Sequence, residues 1–328
     1  MRILMMGTGP FAVPTFESLL KSEHDVVALI TRPTPPPRGR RKSPPNPMRD
    51  SGEKHGIETY APDDVNQPEV HERILAWKPE LFVVCDYGQI LSKDTLGLAK
   101  YGGVNLHGSI LPKYRGAAPI NWALLEGDAE TGITVIHMTP GLDAGPCLTK
   151  DSTTIAESDD AETLEDRLSK MGVESVLSAI DILSDWDGES EIGTRQDKSL
   201  ATKAPRLKKA DGDVDWTKSS LQLFNQVRAL KPWPGTYTNW LRESGAPIRI
   251  ILDQVRPEPK DGLDDENAGT LAPGQVALSD GKEVWVKTGD GYLALTHIQP
   301  AGKRIMEVAE YVRGQKIRQG DLFGAAPK

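Results

Sequence analysis

The chain has 328 residues, a formal net charge of −8, and 26% charged against 38% hydrophobic residues. That length exceeds a usual single domain and leaves ample chain for two cores, so global disorder is excluded. No run of roughly eighteen apolar residues occurs, the start MRILMMGTGPF lacks the apolar stretch of a secretory signal, and Cys85 and Cys147 form no Cys-x-x-Cys pattern. The expectation is a two-domain cytosolic protein without membrane partner, disulfide framework or metal.

The acidity is local. Residues 1–150 carry 16 Lys/Arg and 17 Asp/Glu, residues 151–200 carry 4 and 14, and residues 201–328 carry 19 and 16. The acidic segment reads as a solvated helix face. Local patches rather than the total govern phosphate binding, so a nucleic-acid partner stays open.

In chain order, Arg2 to Met6 reads as a buried strand, followed by Gly7-Thr8-Gly9-Pro10 and an amphipathic run from Ala12 to Leu20. Asp25 to Thr31 is a second strand, Glu69 to Trp77 a helix, Leu81 to Cys85 a strand, Lys93 to Ala99 a helical piece and Gly103 to His107 a strand. Gly132 to Met138 and Pro146 to Asp151 follow as strands, and Ala161 to Leu183 as a long helix. This alternation predicts an α/β fold, a Rossmann-like doubly wound, mostly parallel sheet. Residues 187–215 lose periodicity, and 216–231 give one more helix. Short strand-like runs then start at Ile248, Gly274, Val284 and Tyr292, which predicts a small β-rich domain. The expected organisation is a domain over 1–190, a linker over 191–206 and a domain over 207–328. Arg32 to Pro47, RPTPPPRGRRKSPPNP, reads as an exposed loop.

Gly7-Thr8-Gly9-Pro10-Phe11-Ala12 formally matches G-x-G-x-x-G/A between a strand and a helix. A dinucleotide site would also need an acid at the end of the second strand. That strand ends instead in Thr31-Arg32-Pro33, and Pro10 removes a backbone N–H from the helix start. The glycines therefore read as a tight turn, and a nicotinamide oxidoreductase is disfavoured.

Residues 103–148 hold the chemistry. Asn105 and His107 lie two apart at a strand's end and share one face of the sheet, and Asp143 lies in the later loop Pro140 to Gly145. An amide can donate to a developing oxyanion, an imidazole can donate or shuttle a proton, and a carboxylate can orient and charge the imidazole. The three together suit acyl transfer at neighbouring strand ends. Singly, each has an ordinary structural use, and His24, His55, His71, His137 and His297 have no such neighbours. A non-catalytic RNA-binding protein has no need of such a trio.

The segment Asn105-Leu106-His107-Gly108-Ser109, followed by Leu111-Pro112-Lys113-Tyr114-Arg115-Gly116-Ala117-Ala118-Pro119-Ile120 and Gly141-Leu142-Asp143-Ala144-Gly145, resembles the folate-dependent formyltransferases. VVCDYGQIL at 83–91, DWTKS at 215–219, KPWPGTY at 231–237, IQPAGK at 298–303 and GDLFG at 320–324 extend the likeness along nearly the whole chain. The resemblance implies a donor, 10-formyltetrahydrofolate, bound near the backbone of Ser109, Ile110, Leu111 and Pro112 and the loop at Tyr87 and Gly88. It implies that Asn105, His107 and Asp143 are catalytic, acting through a tetrahedral intermediate. It implies an initiator methionyl-tRNA as acceptor, a protein that acts as a monomer, and an OB-like C-terminal barrel that contacts tRNA. Arg38, Arg40, Arg41 and Lys42 match the basic loop that the family lays along the acceptor stem; cations on an irregular loop suit phosphate contacts. Trp216, Trp233 and Trp240 are expected as core or domain-packing residues rather than stacking platforms. Relatives acting on a small amine, an amino sugar or a nucleotide, share the trio; the basic loop and second domain favour tRNA.

Overall fold

Four short strands build the centre of the first sheet, three of them almost wholly apolar, because strands covered on both faces need no polar alternation. In the computed structural model, which describes residues 1–37, 43–242, 245–259 and 271–325, they are β1 (Arg2–Gly7), β2 (Asp25–Ile30), β4 (Leu81–Cys85) and β5 (Gly103–His107). Between β1 and β2 lies α1 (Val13–Leu19); α2 (Pro47–Lys54), β3 (Thr59–Tyr60) and α3 (Pro68–Trp77) come between β2 and β4, and α4 (Lys93–Leu96) between β4 and β5. The chain continues through β6 (Arg115–Gly116), α5 (Pro119–Glu126), β7 (Glu130–His137), β8 (Cys147–Thr154), α6 (Ala161–Ser184) and β9 (Lys203–Ala204).

The sheet order is β3-β2-β1-β4-β5-β7-β8. The first five strands are parallel, while β7 and β8 join antiparallel. The winding direction reverses between β1 and β4, and in open α/β sheets ligands bind outside the carboxyl ends at such a reversal. Leu4, Met6, Ala28, Ile30, Phe82 and Val84 form one side of the core with Val70 and Ile74 of α3.

Three helices escaped the sequence reading: Val308–Gly314 near the end of the chain, and two that open on prolines. Pro47 had closed the expected exposed loop, yet it is the first residue of α2, whose cap Asn46 accepts a hydrogen bond from the Arg49 N–H. A proline in the first turn loses no helical bond, so it begins a helix as readily as it ends one. Pro119 opens α5 in the same way.

The chain folds as two compact units. One contains residues 1–120, 129–155 and 163–206; the other contains 121–128, 156–162 and 207–328. In the second, α7 (Ser220–Ala229) is followed by β10 (Thr236–Leu241), β11 (Ile248–Glu258), β12 (Val276–Ser279), β13 (Val284–Lys287), β14 (Tyr292–Pro300), β15 (Met306–Glu307), α8 (Val308–Gly314) and β16 (Leu322–Gly324). These strands run in the order β12-β13-β14-β11-β10-β16, and a bridge from Gln275 to Leu322 brings the two edges together into a nearly closed antiparallel barrel. Closure removes the free edges that would otherwise template aggregation. Its interior holds Leu223, Val227, Trp240, Ile250, Leu252, Leu293 and Phe323. Trp216 and Trp240 are core residues as expected, but Trp233 is 54% exposed. The prolines beside Trp233 are no evidence that its ring is inside.

Candidate active site

At the end of β5 the pleat places Asn105 and His107 on one face. The imidazole is 4% exposed and stands between two oxygens. Its Nε2 lies 2.9 Å from the Tyr114 carbonyl oxygen, and its Nδ1 lies 3.7 Å from Asp143 Oδ2. A carbonyl can only accept, so the hydrogen of that bond belongs to Nε2. Nδ1 then faces the carboxylate across a gap slightly too wide for a direct hydrogen bond. Asn105 Nδ2 lies 3.4 Å from the other carboxylate oxygen, Oδ1. The structure thus brings the three side chains together around Asp143.

Asp143 does not arrive by strand-end adjacency, as the sequence suggested. Because β7 is antiparallel, its last residue His137 pairs with Val104 at the start of β5, while His107 pairs with Thr134. The loop after β7 must therefore travel back along the sheet to reach His107. Asp143 is held there with φ 47°, a left-handed backbone uncommon outside glycine. The Gly116 N–H donates to Oδ2 at 2.8 Å. Gly116 itself is at φ 132°, and a Cβ there would stand 2.4 Å from the Ala204 carbonyl oxygen, so only glycine brings this N–H to the carboxylate.

Sequence reasoning missed the groups that contact the trio and its loops: the Tyr114 carbonyl, the Gly116 N–H and the side chains of Arg115 and Gln196. Gly116 stood in a recognisable run, whereas Gln196 lies in an unpatterned stretch and carried no signal. The Gln196 amide donates to the carbonyls of Asp143 and Gly145 at 2.9 and 2.7 Å.

Of the residues expected near a folate, Ser109 and Leu111 are fully buried. Ser109 Oγ donates to the Lys113 carbonyl, Thr134 Oγ1 donates to that of Ser109, and the Leu111 N–H donates to Thr134 Oγ1. Ile110 and Pro112 are half-buried. Tyr87 is buried with its hydroxyl unpartnered, and burial raises its pKa. Gly88 is exposed, with the Arg32 side chain beside it. Large apolar side chains stand open on both neighbouring loops, Ile90 at 64% and Leu142 at 56% exposure. Arg38, Arg40, Arg41 and Lys42 lie outside the described residues. Among the described residues no group of three His, Cys, Asp or Glu side chains is placed to hold a metal, and no helix is long and apolar enough to cross a membrane.

Residues 1–180 match the formyl transferase family, and residues 206–316 match the formyl transferase C-terminal domain. A methionyl-tRNA formyltransferase of Rhodopirellula baltica is 40% identical, covering 98% of this chain and 96% of its own. One of Bacillus subtilis is 36% identical over 98% of each chain. The crystal structure of HypX from Aquifex aeolicus in complex with tetrahydrofolic acid shares the fold, with a TM-score of 0.61 and 19% identity over 95% of this chain and 47% of that one. The chain belongs to the formyltransferase family, and the two relatives that match it at 36–40% identity over nearly their full length are methionyl-tRNA formyltransferases.

Proposed function

We propose that the chain transfers the formyl group of 10-formyltetrahydrofolate to the α-amino group of initiator methionyl-tRNA. The observation that carries this reading is the convergence of Asn105 and His107 on the two oxygens of Asp143, at 3.4 and 3.7 Å. The long contacts leave the Asn105 amide and His107 Nδ1 free to turn toward a third atom between them. Asn105 donates to the formyl oxygen as it becomes negative, and a hydrogen on His107 Nδ1 supplies a second donor. Asp143 balances the positive charge of an imidazolium and receives the proton of the attacking amine. As the new N–C bond forms and the bond to N10 breaks, that proton passes to N10.

The donor fits what the site offers. A flat heterocycle suits the open Ile90 and Leu142 side chains, with Ile110 and Pro112 supplying further contact. Bound there, it would supply the formyl carbon; the protein supplies donors, a proton relay and exclusion of water. Arg38, Arg40, Arg41 and Lys42 would contact acceptor-stem phosphates, with the C-terminal barrel as the other tRNA surface. The test is formyl transfer from 10-formyltetrahydrofolate to charged initiator tRNA, with free methionine and an amino sugar as comparators. Transfer to the tRNA alone is expected, whereas preferential transfer to the amino sugar would overturn the choice of acceptor.

A further inference from the structure

The segment that leaves the first unit is tied to both loops that hold the trio. Thr194 exchanges a pair of main-chain hydrogen bonds with Cys147, each 2.8 Å, just past the Asp143 loop. Thr202 accepts at its hydroxyl from the Tyr114 N–H at 2.8 Å and at its carbonyl from the Arg115 N–H at 2.9 Å. β9 then pairs with β6, placing Ala204 beside Gly116. Tyr114 supplies the carbonyl for His107, and Gly116 the N–H for Asp143.

Gln196 is the polar centre of this strap. Its Nε2 donates to the carbonyls of Asp143 and Gly145, and its Oε1 accepts from Arg115 Nε and Nη2 at 3.1 and 2.7 Å. These four contacts fit one orientation of the amide, since two acceptors lie on one side and a guanidinium on the other. The first of these carbonyls belongs to Asp143 itself, a residue at φ 47°, a conformation that persists where the surroundings over-determine it. We propose that Gln196, itself oriented by Arg115, is the positioning residue that locks the Asp143 loop in its working conformation.

The inference rests on the assignment of Asp143 to the reaction. It acts through Asp143, so its signature is a change in kcat that depends on that side chain. Gln196→Met keeps the length and removes all four hydrogen bonds. Gln196→Glu keeps a partner for Arg115 but removes both donations to the loop, and serves as the second variant should the first not fold. In full-length protein, either is expected to lower kcat about 10- to 100-fold, the scale of an ångström of misplacement, with KM for both substrates within about twofold. In an Asp143→Ala background the same change is expected to add less than about twofold. A wild-type kcat in the folded single variants overturns the proposal, and so does an equal loss in both backgrounds, which would mean a merely structural role. Wild-type turnover in Asp143→Ala alone would instead remove Asp143 from the chemistry, a failure of the functional reading that this design separates from failure of the strap.

Discussion

Two strand ends of the first unit, those of β1 and β5, stand on either side of β4, and each leads into a glycine-containing turn that invites a ligand reading. β1 ends in Gly7 and leads into Thr8-Gly9; β5 ends in His107 and leads into Gly108, with Gly116 further on. At the first, the Asp86 carboxyl accepts the Gly9 N–H and fills the space over that residue, so that a Cβ on Gly9 would lie 1.8 Å from Asp86 Oδ2. An acidic side chain thus takes the N–H that a pyrophosphate would need, which disfavours an anion at the matching motif. At the second, the Tyr114 carbonyl and the Gly116 N–H meet His107 and Asp143, while the side chains of the trio stay 3.4 and 3.7 Å apart. A glycine motif is decided by what stands over it, which pattern alone does not report.

The largest effect expected from this contrast is on turnover at the β5 end. His107→Ala should reduce formyl transfer about a hundredfold or more, the usual cost of a lost oxyanion donor, with circular dichroism unchanged. Asp86→Asn at the β1 end should stay within severalfold of wild type in the same assay. Equal losses would erase the distinction between the two ends.

Next in size is glycine replacement. Gly116→Ala forces a Cβ against the Ala204 backbone at positive φ, with an expected loss of about 1–3 kcal/mol in denaturant unfolding and a fall in kcat. Gly9 has φ −87°, and the atom it would strike is the end of a side chain. Gly9→Ala should therefore be the milder change, and adding Asp86→Ala should recover most of its loss. Failure of that rescue would mean that Asp86 is not what fills the turn.

The basic segment Arg38 to Lys42 sharpens the comparison from the acceptor side, since it is the stretch proposed for phosphate contacts. Changing Arg40, Arg41 and Lys42 together to Ala should weaken tRNA binding and flatten the dependence of log K on log salt by up to about three contacts, each roughly 0.7–0.9. Donor binding should not change. An unaltered salt slope in a filter-binding titration would leave the small-amine acceptor as the better reading.

The smallest effect is a pH dependence at the β1 end. Asp86 is open to solvent, yet desolvation by the protein around it pushes its carboxyl from 3.8 to about 6 against the Gly9 hydrogen bond and the Arg32 charge. The folded protein keeps this proton where the unfolded chain has released it. The associated stability is complete below about pH 4 and lost as pH rises through about 6. Asp86→Asn, neutral throughout, should gain thermal stability relative to wild type between pH 4.5 and 7.5. Parallel melting curves across that range would show that Asp86 pays no desolvation cost.

Much of this was legible in the residues because burial on both faces writes long apolar runs. Leu81–Cys85 and Gly103–His107 read with their observed bounds, and Asn105 and His107 followed from simple alternation. α2 and α5 were hidden by prolines that read as breakers although they open helices. β10 was missed because Thr236–Leu241 follows two prolines and a glycine and alternates tyrosine and asparagine with its buried residues. The supports of Asp143 were illegible for a different reason. Gln196 is 53 positions away from it in the chain, and long-range contacts of a lone polar side chain leave no local period.

The central claim is that Asp143 works on bound substrates through its charge, and single-turnover formyl transfer by Asp143→Asn tests it most directly. The variant keeps the size of the side chain and removes the negative charge. With donor and charged tRNA both shown to be bound, the rate is expected to fall at least a hundredfold, in line with loss of one preorganised electrostatic group. A wild-type rate at saturating substrates would contradict the claim.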